Sequence, residues 1–176
     1  MRCSVEPSSQ PLLWSPEQSG DREWMLRALG QARRAAQLGE VPIGCIVVRQ
    51  GVELATAHDS KELLKDPSGH AEVNAIRRAA EISGDWRLDG SDLYVTLEPC
   101  PMCLGVILHA RIRRLIYGAS NRRWSLGETG LHSILQNPVF NHFVQITKGV
   151  AEEECAGLLK ETFRRYRGER IPQKRL

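Results

Sequence analysis

Apolar residues recur at helical spacing in four stretches of this chain and form β-branched or alternating runs in five others. Met25, Leu29, Ala32 and Ala36 mark one face of a helix that Asp21 can cap and that ends near Gly39. Ile43 to Val48 is a β-branched run, and Val52 to Ala57 returns beside it across Gln50 and Gly51, the pattern of a hairpin. A polar loop from Asp59 to Gly69 follows. Ala71, Ala75, Ala79 and Ile82 then predict a second amphipathic helix, beginning near His70 and stopping before Gly84. Leu93 to Leu97 reads as a third strand, Cys103 to Ala110 as a helix, and Leu115 to Tyr117 and Val144 to Thr147 as two more strands. The last element, Ala151 to Tyr166, is a helix with an inner stripe of Cys155, Leu158, Leu159 and Phe163. Helices alternating with strands predict an α/β fold arranged as a three-layer sandwich.

Length and composition narrow this further. The 176 residues, 41% apolar and 26% charged, suit one compact domain with a core large enough to need no disulfide framework. Residues 1–20 hold five Ser and three Pro with little periodicity, so they are expected to form a mobile extension ahead of a domain spanning 21–176. No apolar run approaches the roughly 18 residues of a membrane span, and the first twenty residues lack the basic start and apolar stretch of a secretory signal. A cytoplasmic location is the expectation. Five cysteines, an odd number, point to metal or thiol chemistry rather than to a disulfide scaffold.

The formal charge of +3 is unevenly spread. Lys160 to Leu176 carries seven basic residues against two acids. Among them Arg164, Arg165 and Arg167 follow the inner stripe of the last helix and are candidate contacts to a polyanion. The alternative is a solvated helix end whose basic residues suit the helix dipole.

The candidate chemistry lies in two short motifs. His70-Ala71-Glu72 opens one predicted helix, and Pro99-Cys100-Pro101-Met102-Cys103 opens another. Two cysteines three apart present both sulfurs on one helical face, at a separation suited to one tetrahedral zinc, with His70 as third ligand. Three ligands leave a fourth position for water, which zinc acidifies toward neutrality. Glu72 sits where it can reach that water without being a ligand, a position suited to proton transfer. Taken singly, His70 also reads as an ordinary cap or core histidine, and the cysteine pair as a redox dithiol or a structural zinc knuckle. The combination favours catalytic zinc. Cys45 and Cys155 read as buried small apolar residues.

At these residues the sequence resembles the zinc-dependent cytidine deaminase superfamily and, more narrowly, the bacterial tRNA adenosine deaminase family. The resemblance runs from Asp21 to Arg167 through EVPIGCIVV, DPSGHAE, LYVTLEPCPMC, HARIRRLIYGA, NPVFNH and ECAGLL with FRRYR. It implies a cytidine deaminase-like fold with a five-stranded mixed sheet, one catalytic zinc per subunit and a homodimer with active sites near its interface. It also implies that the Ala71 N–H helps hold a substrate base and that Val41, Pro42 and Ile43 line its pocket. The implied reaction is hydrolytic deamination of a nucleobase in RNA, with wobble adenosine in the anticodon stem-loop of tRNA as the leading substrate.

Two positions depart from the family pattern. Asp59 stands where the adenosine deaminases typically carry Asn beside the base, and ionised Asp can only accept hydrogen bonds. Asn121 stands where bacterial members usually place Asp. Two alternatives remain: a deaminase of a free base or nucleoside such as guanine or cytosine, and an inactive zinc-stabilised RNA-binding module.

Overall fold

A computed structural model describes residues 15–121, 127–137 and 139–168. The elements run α1 (Asp21–Gln37), β1 (Gly44–Arg49), β2 (Val52–His58), α2 (Lys61–Leu64), α3 (Ala71–Ser83), β3 (Ser91–Leu97), α4 (Pro101–His109), β4 (Arg114–Ala119), α5 (Gly127–Leu135), β5 (Gln145–Lys148) and α6 (Glu152–Gly168). Five strands form one sheet in the order β2-β1-β3-β4-β5. β1 is antiparallel to β2 and β3, whereas β3, β4 and β5 are parallel, so the sheet is mixed. Gln50 and Gly51 both take positive φ, the conformation a two-residue hairpin turn demands between β1 and β2.

Strand alternation divides the core between two faces. Cys45, Val47, Leu93, Val95 and Leu115 pack with Ala75 of α3, Leu104 and Ile107 of α4 and Leu131 of α5. Ile46, Val48, Tyr94 and Ile116 face the other way, onto Met25 and Leu29 of α1 and Cys155 of α6. The expected sandwich is therefore present, with α3 and α4 on one side and α1 and α6 on the other. Two glycines set the close approach of the second layer. A Cβ on Gly44 would stand 2.1 Å from the Ala28 carbonyl oxygen of α1, and one on Gly118 would stand 2.4 Å from Cys155 Sγ of α6.

Four sequence expectations need correction. α1 buries Ala35 rather than Ala36, and α3 buries Val73 and Ile76 while Ile82 is exposed. Asp21 makes no capping bond to α1; it lies buried and ion-paired with Arg114 of β4. On α6 the buried face runs through Cys155 and Thr162, while Phe163 is 42% exposed. α2 and α5 were not expected from the sequence at all.

Arg114 anchors a buried polar cluster beneath α1. Its guanidinium donates to Asp21 Oδ2 at 2.9 Å, to Asp92 Oδ2 at 3.3 Å, to Thr147 Oγ1 at 3.0 Å and to Gln18 Oε1 at 3.0 Å. Tyr94 donates to Asp21 Oδ1 at 2.8 Å. Ser15 joins the edge of this cluster, its N–H donating to the Ile146 carbonyl at 2.7 Å. Residues 1–14 and 169–176, which include Cys3, Arg170, Lys174 and Arg175, lie outside the described residues. No described helix is long and apolar enough to cross a membrane.

Candidate metal and catalytic site

The parallel strand β3 delivers the chain to Glu98 and Pro99, and α4 begins at Pro101 with Cys100 as its N-cap. Pro at the first helical position costs no hydrogen bond there and holds φ ready for the helix. α3 begins in the same region with His70 as its N-cap. Neither N-cap side chain makes a capping bond to its helix backbone, which leaves both available to point at each other.

They meet with Cys103. Cys100 Sγ lies 3.6 Å from Cys103 Sγ and 3.7 Å from His70 Nδ1, and Cys103 Sγ lies 3.5 Å from His70 Nδ1. A tetrahedral zinc, with bonds of about 2.3 Å to sulfur and about 2.1 Å to nitrogen, separates its ligand atoms by roughly 3.6–3.8 Å. The three separations match those edges. Among the described residues this is the one group of His, Cys, Asp or Glu able to hold a metal ion.

The electrostatics make Cys100 the readier thiolate of the pair. The hydrogen bond with Cys103 pushes the Cys100 thiol down to about 4, with His70 adding to the effect, while Cys103 is held up by the same bond and by burial. His70 is raised by its hydrogen bond to Cys100. Glu72, 3% exposed on the first turn of α3, is pushed up to about 7 by burial. Its Oε2 has no hydrogen-bond partner. A buried carboxylate oxygen without a partner is costly and marks a group kept for something other than stability.

The residues expected to line a base pocket lie as follows. Ala71 is fully buried beside His70, Pro42 and Ile43 are buried, and Val41 is half-buried. Asp59 accompanies them: its N–H donates to the Ile43 carbonyl at 3.1 Å, and the carboxyl is fully buried. Burial raises its pKa despite Lys61 and His70 nearby. Asp59 Oδ2 accepts no hydrogen bond and faces Lys61 Nζ at 3.4 Å.

The arginines of α6 are exposed and differ in their surroundings. Arg165 pairs with Glu161 one turn earlier, and Arg164 borders a small cleft with Gly157, Lys160 and Glu161. Arg167 borders a larger groove of about 690 Å³ at the carboxyl ends of β3 and β4, together with Leu97, Asn121, Lys160, Phe163 and Tyr166. The groove lies on the α6 side of the sheet, and the His-Cys-Cys cluster on the α3 and α4 side.

Sequence reasoning missed three supporting residues. Asn74 donates to the His58 carbonyl, Ser60 Oγ and the Gly69 carbonyl, stitching both ends of the loop before His70. An Asn inside a helix, where it competes with the backbone, was the available signal. Glu98 accepts the Asn121 N–H at 3.0 Å, and Glu40 accepts two N–H groups of α2. Nothing local in the sequence marks either acceptor.

Residues 19–164 match the family of MafB19-like deaminases. The tRNA-specific adenosine deaminase of Bacillus subtilis (strain 168) is 41% identical over 147 residues, covering 84% of this chain and 91% of its own. That of Agrobacterium fabrum (strain C58) is 43% identical over 144 residues, covering 82% and 94%. A structure described in a study of A-to-I editing by tRNA:A34 deaminases superimposes with a TM-score of 0.73 at 42% identity, covering 78% of this chain and 99% of that one. With these similarities in agreement, this chain is a deaminase that belongs to the MafB19-like deaminases and to the family of tRNA-specific adenosine deaminases.

Proposed function

We propose that this protein hydrolytically deaminates adenosine to inosine at the wobble position of tRNA, with a zinc ion held by His70, Cys100 and Cys103. The observation that carries the reading is Glu72, a buried carboxylate with an unpartnered oxygen beside a cluster of tetrahedral spacing. A purely structural zinc site has no use for it. Bound zinc supplies Lewis acidity that brings the pKa of water toward neutrality. Glu72, poised near 7, takes a proton from the attacking water and passes it to the ring nitrogen, then takes the second proton from the new hydroxyl and hands it to the amino group, which leaves as ammonia. The Ala71 N–H, with Val41, Pro42 and Ile43, holds the base against this carboxylate.

A polymeric substrate could extend from the cluster around the carboxyl ends of β3 and β4 to the 690 Å³ groove on the α6 side. Lys160 and Arg167 offer charge for phosphates and Phe163 an exposed aromatic face for a base. A homodimer in the cytoplasm fits the family, and the exposed Met102, beside Cys103 on α4, is apolar surface that a second copy can cover.

One observation favours a second reading. Asp59 is a buried acceptor where recognition of adenine N7 calls for a donor, which suits a different base or a free nucleobase. Mass analysis after incubation with an anticodon stem-loop, a panel of free bases and nucleosides, and single-stranded DNA separates the readings. A gain of one mass unit by the stem-loop alone is expected, since an amino group is exchanged for a hydroxyl. Glu72→Ala should retain zinc and fold while turnover drops at least about a hundredfold. Turnover near the parent's removes Glu72 from the mechanism.

A further inference from the structure

We infer that Glu40 is a positioning residue that holds together the two walls of the mouth beside His70. Glu40 is 1% exposed, and a glutamate that deep is retained only where its charge is used. Its backbone N–H ends α1 by donating to the Ala35 carbonyl at 3.0 Å. One carboxylate oxygen accepts the Leu63 N–H at 2.7 Å and the other the Glu62 N–H at 3.2 Å. Its carbonyl accepts the Tyr166 hydroxyl at 3.2 Å. One residue therefore joins the end of α1, the start of α2 and the last turn of α6.

Its neighbours give this junction its meaning. Val41 to Ile43, the first wall, follow Glu40 directly. The second wall is the loop from Asp59 to Gly69, which contains α2 and returns to His70 through the Ser60 N–H to Gly69 carbonyl bond at 2.9 Å. α2 has four residues, and none is buried; Leu63 and Leu64 are 63% and 58% exposed. A single turn without packing does not persist alone in water. Asp59 Oδ1 accepts the Lys61 N–H and Asn74 bonds Ser60 just before the helix, and the Glu40 carboxylate adds the two bonds that tie this start to the end of α1.

The inference rests on the deaminase reading and assigns Glu40 to substrate fit, not to the chemical step. His70, Glu72, Cys100 and Cys103 are held by α3 and α4, which Glu40 does not touch through any of these bonds. Removing its carboxylate should loosen the mouth and leave the reacting groups in place. For Glu40→Ala, KM for an anticodon stem-loop should rise about tenfold, with kcat changed less than about threefold and zinc content at parent level. Glu40→Gln keeps one acceptor oxygen and should fall between the two, and it remains informative if the alanine variant folds poorly. Backbone hydrogen exchange at Glu62 and Leu63 reads the same bonds without reference to activity and should quicken at least about tenfold in Glu40→Ala. Unchanged exchange at those two amides, or a fall in kcat with KM unmoved, overturns the assignment. Should the parent itself fail to deaminate the stem-loop, the proposed substrate falls, and the exchange rates alone then decide whether Glu40 holds α2.

Discussion

Replacing Arg114 with Met keeps most of the buried volume and removes the charge. The side chain is 2% exposed, as is that of Asp21, so the pair has no water to fall back on. After the change Asp92 still has Arg113 at 2.7 Å, whereas Asp21 retains only the Tyr94 hydroxyl and the Gln18 N–H. Stranding one buried carboxylate of a pair costs about 3–5 kcal/mol. For a domain of this size that corresponds to roughly 6–20 °C in Tm. The pH dependence distinguishes a stranded charge from poor packing. In the parent, burial raises the Asp21 pKa but the Arg114, Gln18 and Tyr94 bonds more than offset it, leaving it lowered. Its stabilisation is thus present above the unfolded value and is lost as pH falls through the lower folded value. Without Arg114 the burial contribution dominates and the folded pKa moves above the unfolded one, so the variant relieves its penalty by taking a proton. Urea unfolding of both proteins at pH 7 and pH 5 should show the gap in stability narrowing at the lower pH. Adding Asp21→Asn to the variant should recover more than half of the loss at pH 7. A gap that is the same at both pH values, or no recovery by Asp21→Asn, refutes the argument.

Cys100→Ala leaves two ligands of the cluster and should lose both zinc and activity; tight, stoichiometric zinc in that variant, measured by metal analysis, would contradict the ligand assignment. Asp59→Asn adds a donor at position 59 and, on the proposed contact with the base, should improve deamination of adenosine relative to other bases, read as a ratio of kcat/KM values; an identical preference would confine Asp59 to its turn with Lys61. Replacing Arg164, Arg165 and Arg167 together by Ala should weaken RNA binding and flatten its salt dependence by nearly one unit of slope for each phosphate no longer neutralised. Of the three, Arg167 should account for most of the change, because it borders the groove while Arg165 is already paired with Glu161.

The strands were legible because β-branched runs such as Ile43 to Val48 and Leu93 to Leu97 carry their own period, and the metal cluster because its ligands lie in two short motifs. What escaped depends on distant partners. Asp21 has the composition of a cap, and only the arrival of Arg114 on β4, 93 residues later, makes it half of an ion pair. α2 is stabilised by Glu40, 22 and 23 residues upstream, and no window of local sequence contains both. α5 opens with Gly127 and includes Gly130, weak helix formers that its packing of Leu131 and Leu135 overrides. Phe163 fits the spacing of an inner stripe, yet it sits on the rim of an open groove that periodicity has no means of reporting.

The two helix starts that converge on the cluster both forgo the bond a capping side chain would normally make. A Ser or Asp at position 70 or 100 would secure its helix by about 1 kcal/mol and abolish the ligand set at the same stroke. A metal bound there would tie the two helix starts together; without it each start keeps only its own backbone bonds, Asn74 N–H to the His70 carbonyl and Leu104 N–H to the Cys100 carbonyl. Chelation should therefore loosen the turn that carries Glu72 as well as the one that carries Cys103. Metal supply would then set local order at these two helix starts and catalytic competence together.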